Sequence, residues 1–289
     1  MGIYTQPNDW QCGPFALKHA LLALGSFEHE NVIARLAASD TSGTDEVGLG
    51  RAARRLGCDL LMVRTYDADA ARRALDQHLA LRTPTLLCIQ EWTHWVAVVH
   101  QHEGHYVAFD SREEGVLRVL PWEELRGLLV YHEGGAGHGT HPVYDLHPVV
   151  PRHLPWARAE FSPHRARELL KPERRSVVQR WERYAIGLKP VCIPLSLQGE
   201  LALPLADLLE RHRAAVAARV ERVGGGEVGA LLPLVSELAF VAETYGLEVR
   251  PDAEALALDR VSALVARWVA EDGEGTRTAA VRAPRAAAM

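Results

Sequence analysis

The sequence has little of what marks secreted, membrane-spanning or metal-scaffolded chains. Its four cysteines in 289 residues, Cys12, Cys58, Cys88 and Cys192, form no CxxC pair. They are too few and too scattered for a disulfide framework or a structural zinc knot. No apolar run approaches the roughly 18 residues of a membrane helix. The start, MGIYTQPNDW, lacks the charged and apolar regions of a secretory signal. Gln6 stands where an N-myristoylation pattern needs Ser or Thr. These absences predict a cytoplasmic setting, free thiols and no membrane partner. Lysine is scarce, 3 against 29 arginines, which reads as a GC-rich bacterial coding sequence rather than a binding function. A net charge of −5 gives nucleic acid no electrostatic footing as a partner.

Apolar material is ample, 48% of residues beside 24% charged, enough for one large or two moderate domains. Apolar positions at helical spacing run through residues 14–24, with Gly25 as a stop. HENVIARLAAS is a second helix, and GTDEVGLGRAARRLG a third, opened by Thr44. A strand at 59–64 and a helix at 67–80 follow. Strand patterns then occupy 83–90, 94–100, 105–110 and 116–120, before a short helix PWEELRG and a last strand LLVYH. Helices first and hairpin-linked strands after predict an α+β domain with an antiparallel sheet over 1–132. The glycine-rich EGGAGHGTHP puts the expected linker at 133–152. Helical patterns at 163–187, interrupted by Pro172, and at 204–222, 227–245 and 252–271 predict an all-α domain over 153–272. The aperiodic tail 273–289 reads as disordered.

Charge divides near the same place, net −7 over 1–149 and +2 over 150–289. Residues 158–183 hold 8 basic and 4 acidic side chains. That stretch reads as a solvated helix face, or as a docking surface for an acidic partner or for the acidic first domain.

One cysteine has unusual company. Cys12 directly precedes Gly13-Pro14, and proline suits the first turn of a helix because an N–H there has no intrahelical partner. The positive end of the helix dipole favours a thiolate. Cys58, Cys88 and Cys192 lie in apolar surroundings and read as small buried hydrophobes. A thiolate nucleophile needs an imidazole, and the imidazole an orienting carboxylate or amide. His94 begins one expected strand and Asp110 ends the next. A hairpin centred on His102 sets them directly opposite, and one centred on Glu103 sets them diagonally on one face. An acyl-transfer oxyanion needs donors besides. Gln6 is the candidate, with Gln11 as the alternative amide. His100, His102 and His105 make zinc conceivable, but they lack a Cys or carboxylate at ligand spacing, and no metal or other cofactor is expected.

The order Gln, Cys, His, Asp resembles the papain-like cysteine peptidases, and most nearly the bacteriocin-leader peptidases that cut after a double glycine. The resemblance rests on Q-x5-C-G-P-x-x-L at 6–17, GT-x3-GL-x2-AARRLG at 43–57 and HWVAVV…FD at 94–110, and spans residues 1–132. It implies Cys12 as nucleophile, His94 as general base and acid, Asp110 as orienter and Gln6 as oxyanion donor. Many members carry Asp where this chain has Gln11. Transporter-linked members continue into a membrane domain and an ATPase, which are not found here, so their leader-peptide substrate is not carried over.

The expectation is therefore a cysteine hydrolase acting on a peptide or isopeptide amide of a peptide or protein substrate. The alternatives are acyl transfer on the same scaffold and a silent peptide-binding module. The helical region is expected to offer a protein partner a surface. Five residues precede Gln6, so no N-terminal propeptide is expected, and restraint would fall to the linker or to 158–183.

Overall fold

The computed structural model describes residues 2–134, 140–193, 202–224 and 227–282. It comprises two compact units, Met1–Ile186 with Thr244–Gly246, and Gly187–Glu243 with Leu247–Met289.

The first unit opens with α1 (Cys12–Ala23), α2 (Glu30–Ala37) and α3 (Glu46–Arg55). It continues through β1 (Cys58–Leu60), β2 (Val63–Thr65), α4 (Ala68–Ala80), β3 (Thr85–Ile89), β4 (His94–His102), β5 (His105–Phe109) and β6 (Leu117–Pro121). Then come α5 (Trp122–Leu129), β7 (Tyr131–Glu133), β8 (His141–Pro151), α6 (Pro163–Leu169) and the start of α7 (Arg175–Leu188). Every ladder is antiparallel, in the order β1-β8-β3-β4-β5-β6, with β2 and β7 also on β8. This is the α+β class expected. Helix starts follow local chemistry: Asp67 accepts the Ala70 amide at 2.7 Å and Ser162 the Arg165 amide at 3.2 Å, each satisfying an otherwise orphaned N–H. The third helix starts at a different residue from the one expected. Asp45, not Thr44, is its cap, taking the Gly48 amide at 2.7 Å. Thr44 is occupied elsewhere, its hydroxyl on Ser39 at 2.6 Å and its carbonyl on the Trp95 indole at 2.8 Å.

One core lies between the sheet and α4 and α5, built from Leu75, Leu87, Val96, Tyr106, Trp122 and Leu146 among others. The other packing helix, α1, is buried all round, including Lys18. Its ammonium lies 3.0 Å from Glu30 and 3.3 Å from Glu182 and 4.1 Å above the Tyr4 ring.

The expected linker is where sequence and structure part. Residues 141–151 form β8, which lies inside the sheet between β1 and β3; residues 135–139 of the breaker lie outside the described residues. Pro142, Asp145, His147 and Pro148 interrupt the apolar alternation of this strand, and proline in a strand argues against one, so only its partners reveal it. The basic stretch 158–183 belongs to the same compact unit as the sheet. Phe161, Val177 and Trp181 are buried there, Val178 accepts the Ile3 amide at 3.0 Å, and the Tyr245 hydroxyl joins the Trp181 indole (3.1 Å) to the Leu22 carbonyl (2.8 Å). The division between units thus falls after Ile186 and not at 133–152.

The second unit is helical, as expected: α8 (Leu205–Arg211), α9 (Arg213–Gly224), α10 (Val228–Thr244) and α11 (Glu254–Arg282). A two-stranded ladder, unforeseen, joins β9 (Leu203–Pro204) to β10 (Glu248–Val249). Helix α11 runs to Arg282, so residues 273–282 of the tail are helical, and 283–289 lie outside the described residues. Among the described residues no helix is long and apolar enough to cross a membrane.

Candidate functional site

Cys12 is the first residue of α1. Pro14 has no N–H to leave unpaired, and the Phe15 amide closes the first turn on the Gln11 carbonyl at 3.1 Å. The site therefore sits at the positive end of a helix. Burial pushes the Cys12 thiol up, but the His94 ring and the backbone amides of Trp95 and Gly13 outweigh it, and the net shift is downward. The other three thiols move the opposite way. Burial raises Cys58 to about 11, Cys88 to about 12 and Cys192 to about 12; Cys58 and Cys88 are buried as expected, whereas Cys192 is half-buried.

His94 and Asp110 meet as a buried pair, Nε2 donating to Oδ1 at 2.6 Å. Burial opposes charge on both. The pair overcomes it, leaving His94 raised and Asp110 lowered from their ordinary values. With Nε2 committed to the carboxylate, Nδ1 is the nitrogen left for the thiol. Nδ1 is buried without a hydrogen-bond partner, so the Cys12–His94 contact is an approach and not a formed bond. Nucleophile–base pairs commonly tighten only in the complex with substrate.

Register explains how two residues 16 apart meet. Glu103 and Gly104, both at positive φ (49° and 75°), make the tight turn that right-twisted strands favour. Beyond it His102 pairs with His105 and His100 with Val107, but a bulge around Val99 shifts the ladder to Val98↔Ala108 and Ala97↔Phe109. Continued one residue past the end of β5, that register would set Asp110 across from Val96, diagonal to His94 on the same face, as in the second of the two expected registers. Without the bulge, the loop-end register would put His94 and Asp110 on opposite faces.

Both loops entering the site carry backbone strain. Gln90, Glu91 and Trp92 have φ of 55°, 57° and 60° immediately before the His94 strand. Beyond Asp110, the β-branched Val116 has φ of 65° and accepts the Asp110 amide at 2.6 Å. Each such residue stores on the order of 1–3 kcal/mol and persists only where its surroundings over-determine it. Arg112 ties the two loops, donating to Gln90 Oε1 at 3.2 Å.

Gln6 is held beside Asp110 by Ser111, whose carbonyl takes the Gln6 amide at 2.8 Å and whose hydroxyl donates to Gln6 Oε1 at 2.7 Å. Gln6 Nε2 donates one hydrogen to the Asn8 carbonyl at 2.7 Å and has a second to give. Gln11 is turned toward Asn8 and Asn31 instead. Ser111 and the Trp95 amide were not foreseen; Ser111 adjoins Asp110 in sequence, but its link to Gln6 spans 105 positions.

A cavity of about 520 Å³ is lined among others by Thr44, Glu46, Cys88, Trp95, Asp145 and His147, and not by Cys12, His94 or Asp110 themselves. Thr44 crowds Gly13, where an added Cβ would lie 3.1 Å from the Thr44 Cβ. Among the described residues, no group of three or more His, Cys, Asp or Glu is placed to hold a metal ion; His100, His102 and His105 are no exception.

No protein-family model and no curated protein matches the chain. Solved structures similar to it include the peptidase domain of Streptococcus ComA, a bi-functional ABC transporter involved in a quorum-sensing pathway (14% identity, 52% of this chain and 98% of that one, TM-score 0.39). A double-glycine-motif protease from an AMS/PCAT transporter, in complex with the leader peptide, is similar at 13% identity over 50% of this chain and 90% of that one, TM-score 0.36. The peptidase domain of Streptococcus mutans ComA is similar at 14% identity over 50% of this chain and 98% of that one, TM-score 0.31. Two of these are peptidase domains and the third is a double-glycine-motif protease.

Proposed function

We propose that the chain is a cysteine peptidase or amide hydrolase acting on a peptide or isopeptide bond. Cys12 is its nucleophile, His94 its proton carrier, Asp110 the orienter of His94 and Gln6 an oxyanion donor. The observation that carries this reading is the contrast among the four thiols: Cys12 alone is lowered, and it alone adjoins an imidazole whose other nitrogen is 2.6 Å from a buried carboxylate.

The chemistry follows from the geometry. The Asp110 carboxylate accepts a hydrogen bond from Nε2–H, which leaves the Nδ1 lone pair of neutral His94 to take the Cys12 proton. The thiolate adds to the substrate carbonyl, and the imidazolium returns the proton to the leaving amine. Water then attacks the thioester with His94 again as base. The second Nε2 hydrogen of Gln6 and the amides at the head of α1 are the donors for the oxyanion. The cavity lined by Thr44, which packs on Gly13, and by Trp95, which follows His94, gives a substrate side chain room.

Iodoacetamide titration with peptide mapping tests the nucleophile. Cys12 should be alkylated at pH 6–7, a range chosen well below the free-thiol value of about 8.5, before Cys58, Cys88 or Cys192. Cys12→Ala should abolish amide hydrolysis, and Gln6→Ala should lower turnover by about 100- to 1,000-fold. A Cys12 that alkylates no faster than a free thiol would end the proposal.

A further inference from the structure

Asp110 has two carboxylate oxygens, and only one faces His94. Oδ1 accepts His94 Nε2 at 2.6 Å and the Arg112 amide at 3.2 Å. Oδ2 accepts Nη1 of Arg118 at 3.3 Å. Arg118 lies on the neighbouring strand β6, paired with Ala108. Its guanidinium is anchored from outside as well, Nη2 to Glu124 Oε1 on α5 at 3.0 Å, with Glu113 Oε1 at 3.8 Å from Nη1.

We propose that Arg118 is a positioning residue of this site: by holding the outer oxygen of Asp110 it keeps the inner oxygen aimed at His94. The inference rests on the catalytic reading of Cys12, His94 and Asp110. Three observations support it. Asp110 is 2% exposed, so without Arg118 its outer oxygen would be a buried acceptor lacking its charged partner, which is costly. The terminal torsion of a carboxylate is broad, and one hydrogen-bonded oxygen does not stop it turning. The guanidinium is a rigid planar fork, and with Nη2 fixed on Glu124 its Nη1 has a defined direction. Val116 carries the backbone strain that brings the head of β6 alongside Asp110: its carbonyl bonds the Asp110 amide, and Arg118 follows two residues later. The sign in the sequence is one arginine inside the apolar run VLRVL.

The groups facing Asp110 are His94 on β4, the uncharged Arg112 backbone amide on its own loop and Arg118 on β6, with Glu113 and Glu124 beyond the guanidinium and the Arg112 charge acting on His94. Removing Arg118 takes away a cation that favours the ionised carboxylate. An opposite charge at this range lowers a carboxylate, and its loss should let Asp110 rise toward its ordinary value.

The test is the pH dependence of Cys12 alkylation by iodoacetamide in the full chain, beside Arg118→Gln and Arg118→Lys. In Arg118→Gln the acid limb should move up, because loss of the Arg118 cation weakens the Asp110–His94 pair that favours the Cys12 thiolate. Arg118→Lys should keep the limb, because it keeps the charge, while peptide turnover falls because the fork is lost. A limb in Arg118→Gln that stays or moves down overturns the proposal, and so does a fall of equal proportion at every pH, which loss of folded protein alone would produce. Should Arg118→Gln not fold, Arg118→Lys decides: wild-type turnover there removes the orienting role. A wild-type Cys12 reacting as an ordinary thiol would instead defeat the reading beneath, so the two failures differ.

Discussion

At the residue scale, the charge-bearing side chains of the candidate site are held against burial by specific partners, and His19 shows what happens without them. This imidazole lies on α1, two turns beyond Cys12, stacked on Phe109 at 4.7 Å. Neither ring nitrogen has a hydrogen-bond partner. Burial, with the Lys18 charge adding to it, lowers its pKa from 6.5 to about 3. The unfolded chain takes up this proton near its ordinary value and the folded chain does not. Its contribution to stability is therefore complete above about 6.5, and shrinks as pH falls toward the folded value by about 1.4 kcal/mol per unit. His19→Leu removes two unsatisfied nitrogens as well as the titration. Urea melts at pH 7 and pH 5 should show a smaller pH difference in this variant than in the wild type, and a stability at pH 7 that is not reduced. An unchanged pH difference would mean that His19 is protonated in the fold.

At the element scale, the segment before β4 concentrates strain where His94 is presented. Glu91 is exposed and sits at φ 57° between two other left-handed residues. An L-residue there costs roughly 1–2 kcal/mol, and glycine much less, although glycine loses more entropy on folding. Glu91→Gly should raise stability by about 0.5–1 kcal/mol in a denaturant melt, with Cys12 alkylation unaltered. A loss of stability would show that the Glu91 side chain holds the loop through its own contacts.

At the scale of the whole molecule, the first unit is closed by parts distant in sequence. Lys18 is 1% exposed and lies within ion-pair distance of both Glu30 and Glu182. Removing one partner of a buried charge cluster typically costs 3–5 kcal/mol, because the remaining charges stay buried. Lys18→Met should lose about that much, read as a fall in the urea midpoint. Truncation after residue 152 removes Glu182, Trp181 and Tyr245 at once, and with them the acceptor for the Ile3 amide. That fragment should show no cooperative unfolding transition. A cooperative melt would make 1–152 a domain by itself, as its composition suggests.

Local chemistry was enough to place most elements and the site candidates. Cys12 before Gly13-Pro14 marks a helix head whatever lies around it, because capping preferences act over a few residues. Apolar periodicity likewise revealed α1, α4 and α7. What needed the folded chain were the non-local pairings. The Val99 bulge that selects one of two hairpin registers is a response to packing on both flanks of β4. Strand β8 is a strand because β1, β2, β3 and β7 complete its hydrogen bonds, in spite of three prolines. The boundary at Ile186 rather than at the glycine-rich stretch is decided by Glu182 and Trp181, buried by residues more than a hundred positions away in α1 and α2 or sixty in Tyr245. Chain entropy makes such contacts costly to form, and no local pattern records which partner offsets that cost.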